Sequence, residues 1–308
     1  MSQRLRLLLI VAVFLAAGLF VWLGDVDQKV GLDSVAEFGG SLVRDIDRSA
    51  MQLTRVSSEE EMRLGNELAA EITSSWQGDP EWSYYVRKVG ESMLPFIDRQ
   101  DIEYTFHVLE SETVNAFAIP GGQVFVTTAM LEEFFNSEAE LAVVLGHEMS
   151  HVDLRHCIAH YQNVLTLEKI GIGEVGALME ILRRFVALGY DQYQEEEADA
   201  HGVNLAVQAG YDPGAAVTLF ERLALESGEQ APVPARTPVG EVAGAIGDVL
   251  GSYGQTHPAS LDRVTDMRGW IARQGRGIDG ATFYVGRENL RLRVPRDDRE
   301  YPEEWLQH

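Results

Sequence analysis

The 308-residue sequence predicts a mainly helical α+β fold with one small sheet. Helix-type spacing of apolar residues, with capping residues in front, occurs in four stretches: 57–72, 81–94, 137–161 and 195–207. Two short runs rich in β-branched and aromatic residues, Tyr104–Leu109 and Gln123–Thr127, are typical of neighbouring strands. Hydrophobic residues make up 45% of the chain, which is enough for a real core in one large domain or two small ones.

The chain begins with a membrane-targeting segment. Leu7–Leu23 contains 17 consecutive uncharged and mostly apolar residues, preceded by Arg4 and Arg6. This length lies between a signal-peptide core and a full membrane span, and no small-x-small cleavage site follows it. We therefore expect residues 1–24 to be an uncleaved anchor, with cleavage as the alternative. The two arginines in front of the segment place the N-terminus in the cytoplasm and the rest of the chain outside it.

The formal net charge of −23 excludes one class of partner. Nucleic-acid binding needs a basic surface, so we expect no nucleic-acid partner for this strongly acidic chain. The acidity is typical of a solvated surface that keeps a protein soluble. The only cysteine, Cys157, excludes an internal disulfide and also a lipid-modified cysteine after the apolar segment.

Two helices are expected after the anchor. Residues 25–56 are mixed and polar, and we interpret them as a membrane-proximal connector. Ser57 or Ser58 then provides an N-cap for an acidic first turn and the amphipathic run EEEMRLGNELAAEI. The second helix is expected over Glu81–Leu94, before Pro95.

The two predicted strands are joined by Asn115–Gly122, in which Pro120 and two glycines supply a turn. Because Gln123–Thr127 lies shortly before the longest predicted helix, it can form a sheet edge along which an extended peptide pairs its backbone. An ordinary core hairpin fits the same spacing equally well. The residues alone leave both interpretations open.

The central motif lies in Ser137–Tyr161, SEAELAVVLGHEMSHVDLRHCIAHY, which is predicted to be one uninterrupted helix with Ser137 as its N-cap. His147, Glu148 and His151 form the pattern H-E-x-x-H. Residues four apart lie on one face of a helix, at about 100° per residue, so both imidazoles can reach one ion. Neutral imidazole is a good zinc ligand, and the adjacent carboxylate can take a proton from the water that a catalytic zinc site holds. Two histidines can also occur at this spacing by chance, so a third ligand is needed.

The predicted helix Glu195–Val207 supplies that third ligand. Glu195, Asp199 and Gly202 lie at i, i+4 and i+7, within an arc of about 60° around the axis. Glu195 can bind the ion, Asp199 can orient a ligand histidine through its free ring nitrogen, and Gly202 lets this helix approach another closely. The two glutamates that follow Glu195 are expected to be solvated.

Several blocks of the chain together resemble a known family. HEMSH is preceded by NAFAIPGGQVFVTTAML and followed about 44 residues later by EEEADAHG, with VSSEEEMRLGNELAAEI near the start and THPASLDRV near the end. In this order the blocks resemble the M48 zinc metallopeptidases, which include the CAAX prenyl proteases, the HtpX membrane proteases and the periplasmic BepA proteins. The likeness runs from about Ser57 to Ile271, so we expect a peptidase domain over 57–275 and a C-terminal extension over 276–308. With one apolar segment, the chain is closer to single-pass or periplasmic members.

The resemblance implies a zincin-like (gluzincin) fold with the small sheet beside the H-E-x-x-H helix and one zinc ion per chain. His147, His151 and Glu195 would bind zinc, Glu148 would act as general base and acid, and Asp199 would orient a ligand. The substrate cleft would include the following residues: Asn115, Gly122, Gln123, Val124 and Phe125. The implied function is a zinc endopeptidase that acts on unfolded or membrane-associated proteins in envelope quality control. The catalytic domain would lie at the periplasmic face of a bacterial inner membrane or, after cleavage of the anchor, free in the periplasm.

Three other histidines need an interpretation. His257 follows a segment rich in Gly, Pro and Ala, residues 226–256, which fits a mobile lid. We expect His257 either to stabilise the oxyanion of the transition state or to occupy the open zinc position in a latent state, although His-Pro can also simply begin a helix. On the helix 137–161, His156 and His160 lie about 180° and 220° around the axis from His147, so we expect them to face away from the metal as structural or surface residues.

A function of another class also fits the sequence. The body of the chain can be a chaperone-like or scaffolding module that binds misfolded membrane or envelope proteins with little turnover. The complete set of ligands and base favours the peptidase. Zinc content measured together with activity on unfolded substrates separates the two.

Overall fold

The computed structural model describes residues 56–75, 78–169, 189–227, 253–257, 261–273 and 280–308. The chain divides into two compact units, Met1–Arg55 and Val56–His308, and all described residues belong to the second. The predicted anchor, nearly all of the predicted connector and most of the predicted lid lie outside the described residues. Among the helices that are described, none is long and apolar enough to cross a membrane.

The described part of the second unit is mainly helical and contains two small sheets, which confirms the predicted α+β class. Its helices are α1 Ser58–Ser75, α2 Pro80–Glu91, α3 Glu138–Asp153, α4 His156–Lys169, α5 Gln192–Gln208, α6 Gly214–Ser227, α7 Tyr253–Thr256, α8 Leu261–Arg273 and α9 Arg287–Leu292. Its strands are β1 Thr105–Leu109, β2 Ala116–Ile119, β3 Gln123–Thr127, β4 Thr282–Tyr284 and β5 Trp305–Gln307.

Helices α1 and α2 begin where their capping residues predict. The Ser57 hydroxyl accepts from the Glu60 backbone N–H, and the Glu60 carboxylate accepts from the Ser57 N–H, both at 3.2 Å. Asp79 caps α2 by accepting from the Glu81 N–H at 2.7 Å, with a proline in the first turn. These reciprocal bonds satisfy donors that a helix start leaves without partners.

The three-stranded sheet corrects the predicted arrangement of strands. β3 pairs in parallel with β1 and antiparallel with β2, so it is the central strand, and all five of its residues are buried. The prediction that Gln123–Thr127 forms the sheet edge is therefore wrong. The preceding segment, interpreted as a connection, contains the strand Ala116–Ile119. Sequence analysis missed this strand because it is four residues long and buried throughout, so it shows no alternation of polar and apolar residues.

Helix α3 is buried along its whole length and begins at the predicted cap, where the Ser137 hydroxyl accepts from the Glu140 N–H. It ends at Asp153, so the single helix predicted over 137–161 is wrong. Arg155 has a left-handed backbone, with φ of 65°, and turns the chain into α4. This conformation is uncommon outside glycine, asparagine and aspartate, and no proline or glycine marks it in the sequence.

Helices α3 and α5 cross at two glycines. A Cβ atom on Gly202 would lie 2.5 Å from the backbone nitrogen of His147, and one on Gly146 would lie 2.5 Å from the carbonyl oxygen of Gly202. Both distances are far below van der Waals contact, so the two backbones touch only because neither residue has a side chain. The predicted role of Gly202 in close helix approach is confirmed.

Residues 280–308 pack on the first turn of α3. The N–H groups of Glu138 and Ala139 each donate at 3.0 Å to carbonyls in the turn after β4. The fully buried Glu138 side chain accepts from the Tyr211 hydroxyl at 3.0 Å and from the Arg296 N–H at 3.2 Å. Burial raises the pKa of Glu138 to about 7, although these hydrogen bonds pull it down.

We expect Gly202→Ala to destabilise the protein by about 1–3 kcal/mol, because the new methyl group forces α3 and α5 apart. Gly269→Ala is the control: a Cβ there would meet only the movable end of Arg273, at 3.1 Å, inside α8. That change should be neutral or stabilising by up to about 1 kcal/mol. Urea unfolding of both variants measures the difference, and equal effects would contradict the tight glycine crossing.

The pKa of Glu138 predicts a pH dependence of stability. Its folded-state pKa of about 7 lies above the ordinary value of 4.5, so between these pH values the unfolded state loses the proton first. Stability attributable to Glu138 should therefore fall by up to about 3 kcal/mol as pH rises through this window, and stay level above it. In Glu138→Gln, the fall in unfolding free energy between pH 5 and pH 7, measured in urea, should be smaller by about 2 kcal/mol, the part of the change that lies between these two pH values. If the unfolding free energies of the wild type and Glu138→Gln change with pH in parallel, Glu138 does not cause this pH dependence.

Candidate metal centre

Helix α3 brings two imidazoles to one point. His147 and His151 lie one turn apart, both buried, with their Nε2 atoms 3.1 Å apart. Their rings are nearly perpendicular, at 80°, with centroids separated by 4.7 Å. The spacing of four residues therefore brings the Nε2 atoms of both histidines to one point, where they can reach a single ion as predicted.

Helix α5 brings a carboxylate to the same point from across the glycine crossing. Glu195 is buried, with Oε2 3.5 Å from the His147 Nε2 and Oε1 3.5 Å from the His151 Nε2. One donor atom from each of these residues and one from His257 all lie within 4.8 Å of one another. Two imidazole nitrogens and a carboxylate oxygen are a common donor set for a catalytic zinc ion. The residues present therefore fit a divalent metal.

Asp199 and Arg263 surround this donor set. The Asp199 Oδ1 lies 2.9 Å from the Nδ1 of His147, on the side of the ring away from the other donors. Arg263, on α8, donates two hydrogen bonds of 2.7 Å to the Asp199 carboxylate, and its Nη1 is 3.4 Å from Glu195. Asp199 was predicted in this orienting position. Arg263 was missed, because nothing in the sequence LDRV distinguishes a buried arginine from an exposed one.

The charges of the site favour a cation at its centre. Burial alone would lower the pKa of His147, but Asp199 and Glu195 raise it to about 10. Burial likewise opposes ionisation of Glu195, yet His257 and the two histidines of α3 hold its pKa far below the ordinary value. Asp199 is held ionised by Arg263 in the same way, against its burial. The buried carboxylates thus stabilise positive charge at the point where the donor atoms meet.

Glu148 is completely buried beside the donor set. Neither of its oxygens has a hydrogen-bond partner of good geometry in the described part of the chain. The Nε2 of His257 is 3.5 Å from its Oε1, and the backbone N–H of Ala118 faces it from β2. Burial raises the pKa of Glu148, against the lowering effect of His257 and His147. A carboxyl group in this position is suited to accept a proton from a small ligand.

His257 enters the same cluster from a separate segment. Its Nδ1 lies 2.9 Å from the Glu195 Oε1 and 3.2 Å from the His147 Nε2, and the residue is 1% exposed. The short helix α7 holds it: the His257 N–H donates to the Tyr253 carbonyl, and the Tyr253 N–H donates to the Val114 carbonyl just before β2. His257 therefore supplies a fourth donor atom to the group. Of its two predicted roles, this position favours the latent one.

The predicted substrate residues do not line the metal centre as expected. Gln123, Val124 and Phe125 are buried in the central strand, and the side chain of Gln123 bonds to His107 and Asn66. The backbone groups of that strand pair with β1 and β2 on its two sides, so they cannot also pair with a peptide.

The other two predicted cleft residues are also buried in the sheet. The carbonyl of Asn115 accepts from the Thr127 N–H at 3.0 Å, and that of Gly122 accepts from the Thr105 N–H at 2.9 Å. Gly122 has a positive φ of 82°, and a Cβ there would lie 2.5 Å from the Glu103 carbonyl oxygen. Both residues shape the sheet that lies beside α3.

Strand β2 is the part of the sheet that borders the metal centre. Because Asn115 and Thr127 exchange a ladder bond, the alternation of an antiparallel pair turns the backbone groups of Ala116 and Ala118 away from β3. The Ala118 N–H faces Glu148, and its carbonyl accepts from the Cys157 thiol at 3.7 Å. The outer edge of β2 therefore adjoins the proposed base.

The prediction that His156 faces away from the metal is wrong. Because α3 ends before it, the chain turns back and places the His156 Nδ1 3.1 Å from the Nδ1 of His151. Tyr190 was also missed: its ring stacks on His151 with centroids 3.7 Å apart and planes 10° apart. Neither residue has a local signal in the sequence, since both positions depend on the turn at Arg155 and on the approach of distant segments.

Comparison with known proteins gives a consistent result. The family model described as Peptidase family M48 matches residues 81–271 of this chain. The chain is 30% identical over 228 residues to the mitochondrial metalloendopeptidase OMA1 of Schizosaccharomyces pombe, which covers 70% of this chain and 62% of that protein. It is 27% identical over 241 residues to the metalloprotease LoiP of Escherichia coli, covering 73% and 86%.

A third relative is the beta-barrel assembly-enhancing protease of Escherichia coli, 25% identical over 230 residues, which cover 68% of this chain and 43% of that protein. The match therefore spans less than two thirds of the length of this relative and of the Schizosaccharomyces pombe protein.

Proposed function

This chain belongs to peptidase family M48 and is a metalloprotease, and on that premise we propose that it is a zinc-dependent endopeptidase. In this proposal His147, His151 and Glu195 bind one zinc ion and Glu148 is the general base. One observation supports it above all: two imidazoles from α3 and a carboxylate from α5 converge within 4.8 Å, directly beside a buried glutamate. The substrates are proteins or peptides.

The chemistry follows from the positions of these side chains. A zinc ion bound here would lower the pKa of a water molecule and polarise the scissile carbonyl. Glu148 takes a proton from the attacking water and later delivers it to the leaving amine nitrogen. The water oxygen bonds to the carbonyl carbon, the C–N bond breaks, and no side chain of the protein becomes acylated. Asp199, held by Arg263, lies 2.9 Å from the Nδ1 of His147 and would orient this ring so that its Nε2 is available to the metal.

The substrate backbone pairs with β2 in place of β3. The backbone groups of Ala116 point outward at the edge of the sheet, next to those of Ala118, which face Glu148 and the Cys157 thiol and which a peptide would take over from them. An extended peptide laid along that edge would present its carbonyl carbons to the metal centre. This position keeps the predicted mode of binding and moves it by one strand.

In the described conformation His257 holds the protein in a latent state. Its Nδ1 lies among the three donor atoms that bind zinc in this proposal, so it takes the position that a catalytic site leaves open for water and substrate. Turnover then requires the segment of α7 to withdraw. The same observation supports the second candidate, a binding module with little turnover, which differs in having no active conformation.

The finer role we propose is quality control of membrane or envelope proteins. Residues 1–24 would anchor the chain, with the catalytic domain outside the cytoplasm, because Arg4 and Arg6 precede the apolar segment. A cleaved anchor would leave a soluble periplasmic enzyme. Support comes from relatives, one named for assembly of beta-barrel proteins and others for metalloprotease activity.

We expect Glu148→Gln to lower hydrolysis of an unfolded protein substrate by at least about 100-fold while zinc content stays near one ion per chain, because the amide cannot accept the proton. Glu133→Gln makes the same change at an exposed position and should leave activity unchanged. Peptide release and metal analysis on the same samples give both quantities. If Glu148→Gln still hydrolyses the substrate at the wild-type rate, Glu148 is not the general base.

We expect His257→Ala to raise the hydrolysis rate up to about 10-fold, because removing the fourth donor increases the population of the open state. An essential oxyanion-stabilising role predicts a fall instead. His308→Ala, which removes a histidine paired with Asp212, is the control and should not change the rate. An unaltered rate in His257→Ala would defeat both roles of His257.

A further inference from the structure

A strained turn places a third imidazole behind one of the two α3 ligands. Arg155 adopts the left-handed conformation immediately after α3, and the residue that follows it, His156, turns back under the helix. The Nδ1 atoms of His151 and His156 are 3.1 Å apart, and their ring centroids are 5.2 Å apart. A left-handed residue that is not glycine costs about 1–2 kcal/mol, and such strain is concentrated at functional sites.

The contact between the two Nδ1 atoms fixes the position of two protons. A hydrogen bond between two nitrogens needs one donor and one acceptor. When the Nε2 of His151 gives its lone pair to a metal ion, the proton of the neutral ring must sit on Nδ1. His151 is then the donor, and the Nδ1 of His156 must be the acceptor, so the proton of His156 lies on its Nε2.

That second proton points at a carboxylate. The Nε2 of His156 lies 3.5 Å from the Glu197 Oε2, within the range of an ion pair although longer than an ordinary hydrogen bond. His156 is 6% exposed, whereas the Glu197 side chain is 36% exposed. Glu197, one of the two glutamates expected to be solvated, is thus partly exposed and also faces His156. The neighbouring Glu196 does not take part, since its carboxylate accepts from Gln192.

The two histidines of α3 are thus oriented in different ways. The Nδ1 of His147 lies 2.9 Å from a carboxylate oxygen, that of Asp199, whereas between the Nδ1 of His151 and the Glu197 carboxylate stands the His156 imidazole. Tyr190 fixes the plane of the His151 ring by stacking on it, but it leaves the choice of protonated nitrogen open. Among the described residues, His156 is the one whose ring nitrogen faces the Nδ1 of His151.

We propose that His156 is a positioning residue for the metal centre, which sets the tautomer of His151 and is itself set by Glu197. The inference rests on the proposed zinc site. It differs from a purely structural role, in which His156 only fills a buried space. If His156 only fills space, an apolar ring can replace it. If His156 sets the tautomer of His151, only a side chain with a hydrogen-bond acceptor at the position of Nδ1 can replace it.

Two substitutions at position 156 separate these roles in the full chain purified in detergent. His156→Asn keeps an acceptor near the position of Nδ1, and His156→Phe keeps the ring but has no acceptor. We expect His156→Phe to lower zinc affinity by about 10- to 100-fold, and His156→Asn to recover most of it. Affinity is measured by competition with a chromophoric chelator, and the melting temperature of the metal-free protein is measured in parallel.

A second pair of variants tests the contact between His156 and Glu197 at a partly exposed position, where substitution does not disturb the core. Glu197→Gln removes the carboxylate that faces His156, and Glu196→Gln removes the same charge one residue earlier. We expect Glu197→Gln to weaken zinc binding a few-fold and Glu196→Gln to leave it unchanged. Heteronuclear NMR of the histidine rings in the metal-free protein should show His151 protonated at Nδ1 in the wild type and as a mixture of both tautomers in His156→Phe.

The outcomes are distinguishable. If the wild-type chain binds no zinc, the proposed function fails. If it binds zinc and all four variants bind equally well, His156 has no positioning role. If His156→Phe and His156→Asn lose affinity equally and both lower the melting temperature of the metal-free protein, His156 only packs the core, and the inference is overturned.

Discussion

The metal centre depends on one close contact, the crossing of α3 and α5 at Gly146 and Gly202. Its imidazoles and its carboxylate belong to different helices, so no local spacing fixes the distance between them. The crossing does so, because the backbone nitrogen of His147 lies where a side chain of Gly202 would begin. Glu195 stands seven residues before Gly202, about two helical turns along α5, and is therefore placed opposite the ligand histidines. The Glu195 side chain is only a few ångströms long, so a wider separation of α3 and α5 would place its carboxylate too far from the two histidines to share an ion with them.

Close packing brings a second constraint, because it buries several carboxylates together. Glu148, Glu195 and Asp199 are all less than 6% exposed, and Arg263 is the buried cation that pairs with two of them. Burying ionised groups is costly unless opposite charge lies beside them. Of the cationic side chains in the described part of the chain, Arg263 alone pairs with Glu195 and Asp199, and it does not reach Glu148. A divalent cation at the meeting point of the donor atoms would supply further positive charge.

The sequence predicts the parts of this site that are local and misses those that are not. The spacing of His147 and His151, and of Glu195 and Asp199, follows from helix periodicity, and the caps at Ser57 and Ser137 follow from backbone hydrogen bonding. The left-handed turn at Arg155 has no such signal, and it alone decides whether His156 faces the site or the solvent. Strand β2 and the buried Arg263 escaped detection for a related reason: both acquire their roles only from segments distant in the chain.

The position of β2 links substrate binding to the release of His257. The Tyr253 N–H donates to the Val114 carbonyl. By the alternation of the ladder this carbonyl points to the same outer side as the backbone groups of Ala116 and Ala118. The segment that holds His257 among the donor atoms is therefore bound to the first position of the edge that an extended peptide would use. In the proposed binding mode, a peptide that pairs along β2 as far as Val114 would compete with the Tyr253 N–H for the Val114 carbonyl, and its binding would free His257. Short peptides that leave Val114 unpaired would not open the site in this way, so the proposed binding mode would select substrates by their length and extended conformation.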